Sequence, residues 1–466
     1  MRGFVLVFSS NIFLFIYLPA VLLLYYICPR KARNLLLFAV SLFFYAWGEP
    51  VYLFLMVFTI LLNFVSGTLI SKERSQGKSG KGALAVSVVL NLSLLAFFKY
   101  AGFLVRTVNV FLPAGNDFPV PDIPLPIGIS FYIFQSMSYT IDVYRREVDC
   151  QKNFISFGAY VSMFPQLIAG PIVRYRDVAA QLESREETVS RFSEGVCLFV
   201  IGLAKKVLIA NKMGALWESL KGTEGTLSAW VCMFAYTLQI YYDFSGYSDM
   251  AIGLGKMFGF EFLKNFDYPY ISKSITEFWR RWHISLSTWF REYVYIPLGG
   301  NRKGKSRQLV NIFIVWALTG LWHGASWNFV AWGLYYGVLL TLEKLFLLKW
   351  LEKVPALIRQ IMVLLAVSFG WVLFSFTDLA ELGTFLSRFC SFAGSSIHEK
   401  NLILAYLPLV LASFVGATPL PAKIYHKCDG KAGQSVFLVV FLTALMILCT
   451  ASLASQSYNP FIYFRF

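Results

Sequence analysis

The chain is expected to fold as an all-α, polytopic transmembrane helical bundle, and three observations carry that expectation. Of its 466 residues, 57% are hydrophobic and only 14% are charged, where a soluble domain carries about a quarter charged residues. The mean hydropathy is +0.60. Apolar runs recur along the whole length, many of them near the ~20 residues a helix needs to cross a bilayer. Length alone would suggest roughly three soluble domains. The continuous apolar pattern argues instead for one membrane-embedded domain over 1–466, with a short aromatic tail at 456–466.

The expected spans are 4–27, 35–47, 51–70, 84–105, 125–144, 154–170, 193–214, 228–242, 308–322, 326–347, 358–377, 402–418 and 435–454. That gives roughly 11 to 13 membrane helices, with interfacial or re-entrant pieces around a central tunnel. The run from Phe4 to Ile27 is too long for a signal-peptide core and lacks a small-residue cleavage site, so it reads as the first span. Segments 35–47 and 154–170 are short or interrupted. Irregular backbone at membrane depth is tolerated where protein or a wet cavity covers it. No internal repeat and no low-complexity linker is visible.

The formal charge is +15 and the pI about 9.4. In a soluble protein this would raise nucleic-acid binding. Here the Lys and Arg residues cluster in short loops: 29–34, 71–82, 145–152, 264–281 and 301–307. Loops 113–124 and 222–226 have none. The positive-inside rule explains this pattern, puts the basic loops in the cytoplasm and the N-terminus outside, and leaves no need for nucleic acid. The tail then lies outside or at the outer interface. Seven scattered cysteines without a Cys-x-x-Cys argue against a disulfide framework and a zinc site. No metal is expected. No H-E-x-x-H or G-x-S-x-G motif is present.

Four histidines occur in the chain, and two stand out. His323 lies in the apolar run Thr319-Gly320-Leu321-Trp322-His323-Gly324-Ala325. An ionisable group at that depth is costly and marks a functional site. Imidazole titrates near neutrality, which suits proton transfer. Gly320 and Gly324 would let a ligand approach closely. The plain alternative is a histidine that only bonds a neighbouring carbonyl. Phe278 to Tyr293 reads as one amphipathic helix, with Trp279, Trp282, Leu286, Trp289, Phe290 and Tyr293 on its apolar face and Arg280, Arg281 and Arg291 largely opposite. It is an interfacial anchor, or else a helix that points His283 into the bundle.

Three other stretches matter less. Gly299 to Ser306 matches G-x-x-x-x-G-K-[ST], but Pro297 precedes it and an apolar helix follows, so it reads as a basic loop rather than a nucleotide site. Asp243 and Asp249 flank a Gly-containing stretch and either cap helices or line a polar cavity. Pro165 to Arg174 is a helix break that can line a passage. The ending Phe461-Ile462-Tyr463-Phe464-Arg465-Phe466 reads as an interfacial aromatic belt, or as a tail whose Tyr463 hydroxyl carries an acyl group.

Taken together, these motifs resemble the membrane-bound O-acyltransferase family, in the branch of alginate and peptidoglycan O-acetyltransferases. The resemblance rests on Val7-Phe8-Ser9-Ser10, Pro126 to Phe131, Phe164 to Ile172, Tyr242 to Ser248, Phe278 to Glu292, Tyr295 to Arg302, Thr319 to Ala325 and Phe461 to Phe466, in order along the chain. It implies a tunnel through a helical ring, with the acyl donor reached from the cytoplasm and the acceptor from outside. It places the catalytic histidine on His323 and the second motif position on His283, with Tyr463 as an acyl relay. Trp282, Trp322, Asp243 and Arg281 are candidates for lining the tunnel or binding the donor.

The implied chemistry is O-acetyl transfer from acetyl-CoA, a co-substrate with no bound cofactor, across the bacterial cytoplasmic membrane. The expected partners are membrane lipids, an extracytoplasmic esterase-fold (SGNH/GDSL-type) acetyltransferase and a polysaccharide acceptor. His323 would act as general base, kept neutral by burial. One alternative is transfer of D-alanine or another acyl group from a carrier-protein thioester. A second is a transporter that uses the same histidine for proton coupling.

Overall fold

The computed structural model describes residues 6–113, 115–168, 170–427, 433–455 and 461–462. Among these there are helices and turns and no strand, as expected where lipid cannot satisfy an open sheet edge. Each expected span overlaps a helix among the described residues. Six helices are long and apolar enough to cross a membrane: Leu53–Ser75, Lys81–Asn109, Trp327–Leu351, Ala356–Ser375, Ile397–Gly416 and Gln434–Ser455. The other segments are shorter or more polar. Ile129–Arg145, at 17 residues, buries Gln135, Ser136, Ser138, Thr140 and Asp142, so it is an interior helix of the bundle rather than a lipid-facing one.

The chain divides into two compact units. The first is Met1–Phe199 with Met250–Leu263, and the second is Val200–Asp249 with Lys264–Phe466. In the first unit, helices Leu53–Ser75 and Lys81–Asn109 are joined by a buried amide pair. Asn63 Nδ2 donates to Asn91 Oδ1 at 3.1 Å, and Asn91 Nδ2 donates back at 2.9 Å. Interhelical amide bonds of this kind contribute about 1 kcal/mol in membrane bundles.

The same unit ties the Pro29 turn to the segment before Val189. Tyr25 Oη donates to Glu187 at 2.8 Å, and Arg33 pairs with Glu187 at 2.6 Å. Burial alone would raise the Glu187 carboxyl. The bonds from Tyr25 and Arg33 and the charges of Arg33 and Arg185 outweigh it and hold the group below the usual carboxylate range. The expected break near Pro165 is present: helix Phe154–Ser162 stops at Met163, and a single turn, Phe164–Leu167, follows.

The second unit is organised around aromatic side chains, with Trp332, Tyr336 and Trp371 at its centre. Helices Lys305–His323 and Trp327–Leu342 pack backbone against backbone. A Cβ on Gly320 would lie 2.3 Å from the Phe329 carbonyl oxygen, and one on Gly333 2.4 Å from that of Trp316. Gly324 faces the Phe329 ring, 2.1 Å from where its Cβ would stand. The glycines beside His323 thus serve helix packing, not the close approach of a ligand. The Gly299–Ser306 stretch forms turns that lead into helix Lys305–His323.

The single amphipathic helix expected around His283 is overturned as well. The Phe278–Tyr293 region is not a single helix. Helix Ile275–Arg281 ends at Trp282, and Ile284–Phe290 begins after His283, whose backbone is left-handed with φ 45° and ψ 54°. A π-helical turn, Arg291–Tyr295, continues the second piece. Periodicity cannot reveal this break, because no Gly or Pro marks it. Histidine is among the few non-glycine residues that enter the left-handed region with some frequency.

Candidate active site

His323 is the last residue of helix Lys305–His323 and is buried. Its ring meets Trp322 and Trp332 edge-on, with centroids at 5.0 Å, and Phe374 at 5.3 Å. Packing therefore sets the orientation of the imidazole. Trp332 and Phe374 belong to the buried aromatic core of the second unit, so the histidine packs against that core.

His283 is buried by other means. Phe244 meets it edge-on at 4.6 Å, and Trp322 lies 6.0 Å away. Its Nδ1 is 3.3 Å from Asn265 Oδ1. Ser285 donates to that same oxygen from its backbone N–H at 3.1 Å and from its hydroxyl at 2.9 Å. A backbone N–H can only donate, so the Asn265 atom it meets is the carbonyl oxygen, and a carbonyl oxygen can only accept. Nδ1 of His283 therefore carries the proton, and Nε2 keeps its lone pair. Burial lowers the His283 pKa from 6.5 to about 3, so the ring is neutral at pH 7. Asn265, itself buried, was not legible as a site residue. It sits in the unremarkable run Glu261 to Phe266, and only folding brings it to the hinge.

The first helix of the hinge is anchored at its N-terminus. The Glu343 carboxylate caps helix Ile275–Arg281, accepting from Ile275 N at 2.5 Å and Thr276 N at 2.8 Å. Acidic groups are favoured at a helix N-terminus by its unsatisfied N–H groups. Ser274 accepts from Glu277 N at 3.0 Å, a cap worth about 1 kcal/mol.

A cavity of about 260 Å³ opens onto His283. Its wall is apolar, with Trp279, Leu286, Phe290, Ile312 and Trp316, and three cations line it: Arg280, Arg291 and Lys344. The first unit holds a separate polar cavity of about 430 Å³, lined by Arg30, Lys31, Arg33 and Arg185 with Glu183 and Glu187. Among the described residues no group of three or more His, Cys, Asp or Glu side chains is arranged to hold a metal ion.

The remaining candidates divide. Trp322 lies beside both imidazoles. Trp282 packs into the aromatic core against Trp371 at 4.6 Å and Phe266 at 5.0 Å. Arg281 is tied to Glu277 at 3.0 Å and Asp267 at 3.2 Å, and does not line the cavity; Arg280 does. Asp243 pairs with Lys206, and its other oxygen accepts from Ile462 N at 2.8 Å. Asp249 pairs with Lys205 at 2.6 Å, so the two carboxylates do not converge. Tyr463 lies outside the described residues.

The chain is similar to known proteins along nearly its whole length. It is 41% identical to the probable alginate O-acetylase of Pseudomonas putida, over 99% of this chain and 100% of that protein. It is 34% identical to the peptidoglycan O-acetyltransferase of Helicobacter pylori, over 81% of this chain and 79% of the relative. A more distant match, 28% identical over 54% of this chain and 67% of the relative, is the teichoic acid D-alanyltransferase of Bacillus subtilis. The family model for membrane-bound O-acyltransferases matches residues 40–386, a range that contains both buried histidines, and the chain belongs to that family as a multi-pass membrane acyltransferase.

Proposed function

We propose that the protein moves an acetyl group from acetyl-CoA, on the cytoplasmic side of a bacterial inner membrane, toward hydroxyl groups of a polysaccharide outside. The observation that carries this reading is the pair of buried imidazoles on either side of Trp322, one of them lining a cavity. That cavity suits a thioester on a long arm. Its apolar wall accommodates a pantetheine-like chain, and Arg280, Arg291 and Lys344 offer charge to phosphates. The His283 Nε2 lone pair accepts a hydrogen bond from an amide N–H of that arm and so orients the donor.

His323 acts as general base. It takes the proton from an acceptor hydroxyl, and the resulting oxyanion attacks the thioester carbonyl. The tetrahedral intermediate collapses, the C–S bond breaks, and the thiolate leaves with the proton returned by the His323 imidazolium. The products are an O-acetyl ester and free coenzyme thiol. The first acceptor is the Tyr463 phenol. An extracytoplasmic esterase-fold partner then passes the acetyl group to the polysaccharide. The relatives named for alginate and peptidoglycan O-acetylation support acetyl as the group and a polymer hydroxyl as its destination. Membership in an acyltransferase family sets pure transport aside.

The test is to incubate the purified protein in detergent with radiolabelled acetyl-CoA and map label on the C-terminal peptide. Label on Tyr463 that vanishes in His323→Ala is the expected result. Label from a charged carrier protein but not from acetyl-CoA would replace the donor with D-alanyl or another acyl thioester. Undiminished labelling in His323→Ala would remove the histidine from the mechanism.

A further inference from the structure

We infer that the buried Lys206–Asp243 pair is the seat of the terminal segment, and that it positions Tyr463 for the transfer; the second half of this rests on the relay reading above. Lys206 and Asp243 are each 2% exposed. Lys206 sits in a π-helical turn, Lys205–Ala210, and Asp243 in the long helix Thr226–Met257. A buried ion pair is a poor stabilising device, since desolvation offsets most of its attraction and apolar replacements are often neutral. It is well suited to selecting one partner in one register. Asp243 uses one oxygen for Lys206 and the other for the backbone N–H of Ile462, at 2.8 Å.

Two further contacts hold the neighbouring Phe461. The Lys206 ammonium lies 4.6 Å from the centroid of the Phe461 ring, a cation–π distance. Tyr247, one helical turn beyond Asp243, meets Phe461 edge-on at 4.6 Å and 87°. Phe461 is 1% exposed and Ile462 7%. The adjoining pair, Lys205–Asp249, has side chains 24% exposed and is an ordinary screened ion pair by comparison.

The seat is close to the chemistry. Phe244, the residue after Asp243, meets the His283 ring edge-on at 4.6 Å. One turn of one helix therefore carries both the tail's anchor and a wall of the His283 site. Tyr463 follows Ile462 directly in the sequence, so the bond to the Ile462 amide holds the residue next to it. Asp243 and Lys206 are positioning residues on this reading, and Asp243 is not a donor ligand.

Two double variants separate seating from folding. Lys206→Met with Asp243→Leu removes both the charges and the acceptor while keeping the site filled. Lys206→Met with Asp243→Asn removes the charges but keeps a carbonyl oxygen for Ile462 N–H. Hydrogen exchange of the C-terminal peptide, read by mass spectrometry on full-length protein in detergent, is expected to be at least tenfold faster in the first variant and near wild type in the second. Tyr463 acetylation should fall at least tenfold in the first and recover in the second, with thermal unfolding unchanged in both. Wild-type exchange in the first variant overturns the seat. Fast exchange with full acetylation overturns the positioning role. Absence of label on Tyr463 in the wild type would defeat the relay reading alone, because the exchange experiment reports the seat without any acyl transfer.

Discussion

His323 and His283 are both buried and both lie beside Trp322, yet they are held by different physics. His323 ends a 19-residue helix pinned by glycine contacts and is wedged between Trp332 and Phe374. His283 stands on a left-handed residue between two seven-residue helices and is strapped to Asn265 by a hydrogen bond. Aromatic packing orients the His323 ring. A carbonyl strap selects one tautomer. On the function proposed above, the first histidine transfers the proton and the second orients the donor.

The largest expected effect tests the packed side of this comparison. His323→Ala should lower acetyl transfer by about 10²–10⁴-fold, the usual contribution of a general base, while the protein still purifies from membranes with a normal unfolding temperature. Rates within a few-fold of wild type would leave the two histidines without a division of labour.

A smaller effect is expected on the strapped side. Asn265→Ala removes the acceptor that holds His283 Nδ1–H, a loss of about 1 kcal/mol or somewhat more, and should raise the donor KM by roughly tenfold with less change in kcat. A fall in kcat at constant KM would mean that His283 takes part in the chemical step.

The pH dependence follows from the same burial. The folded-state pKa of His283, about 3, lies below its ordinary 6.5. Between those values the unfolded chain binds a proton that the native state does not, so stability falls as the pH drops from about 6.5 toward 3 and is unaffected by this group above 7. In His283→Gln the acid limb of a thermal-unfolding profile should be shallower, with the two profiles parallel above pH 7. Identical acid limbs would show that the ring is not buried neutral.

The smallest contrast separates two arginines of the hinge region. Arg281 is held in partly exposed ion pairs with Glu277 and Asp267, worth about 1 kcal/mol or less, so Arg281→Gln should leave the donor KM unchanged. Arg291→Gln, on the cavity lining, should raise it, and the difference should shrink in high salt. Equal responses would detach the cavity from donor binding.

Much of this was legible in the sequence. A low charged fraction and recurring apolar runs sufficed for an all-helical membrane protein, because lipid leaves the backbone few other ways to satisfy its own polar groups. The motifs around His283 and His323 pointed to two residues that the fold buries beside the same tryptophan, where a titratable group is costly to keep. Ser274-Ile275-Thr276-Glu277 also has the spacing of a helix start, which marks where the first short helix of the hinge begins.

The rest was decided by tertiary structure. Periodicity carried a single helix through His283, since the left-handed hinge there has no local glycine or proline to announce it and is held by Asn265 and Glu343 from elsewhere in the chain. The placement of Arg280 rather than Arg281 on the cavity wall, and the bond of Asp243 to the Ile462 N–H, likewise depended on which partners folding brought within reach. Composition and motif determine which groups must be sheltered from lipid. The packing of distant segments determines which of those groups meet, because a hydrogen bond or an ion pair forms over a few ångströms of space, whatever the separation along the chain.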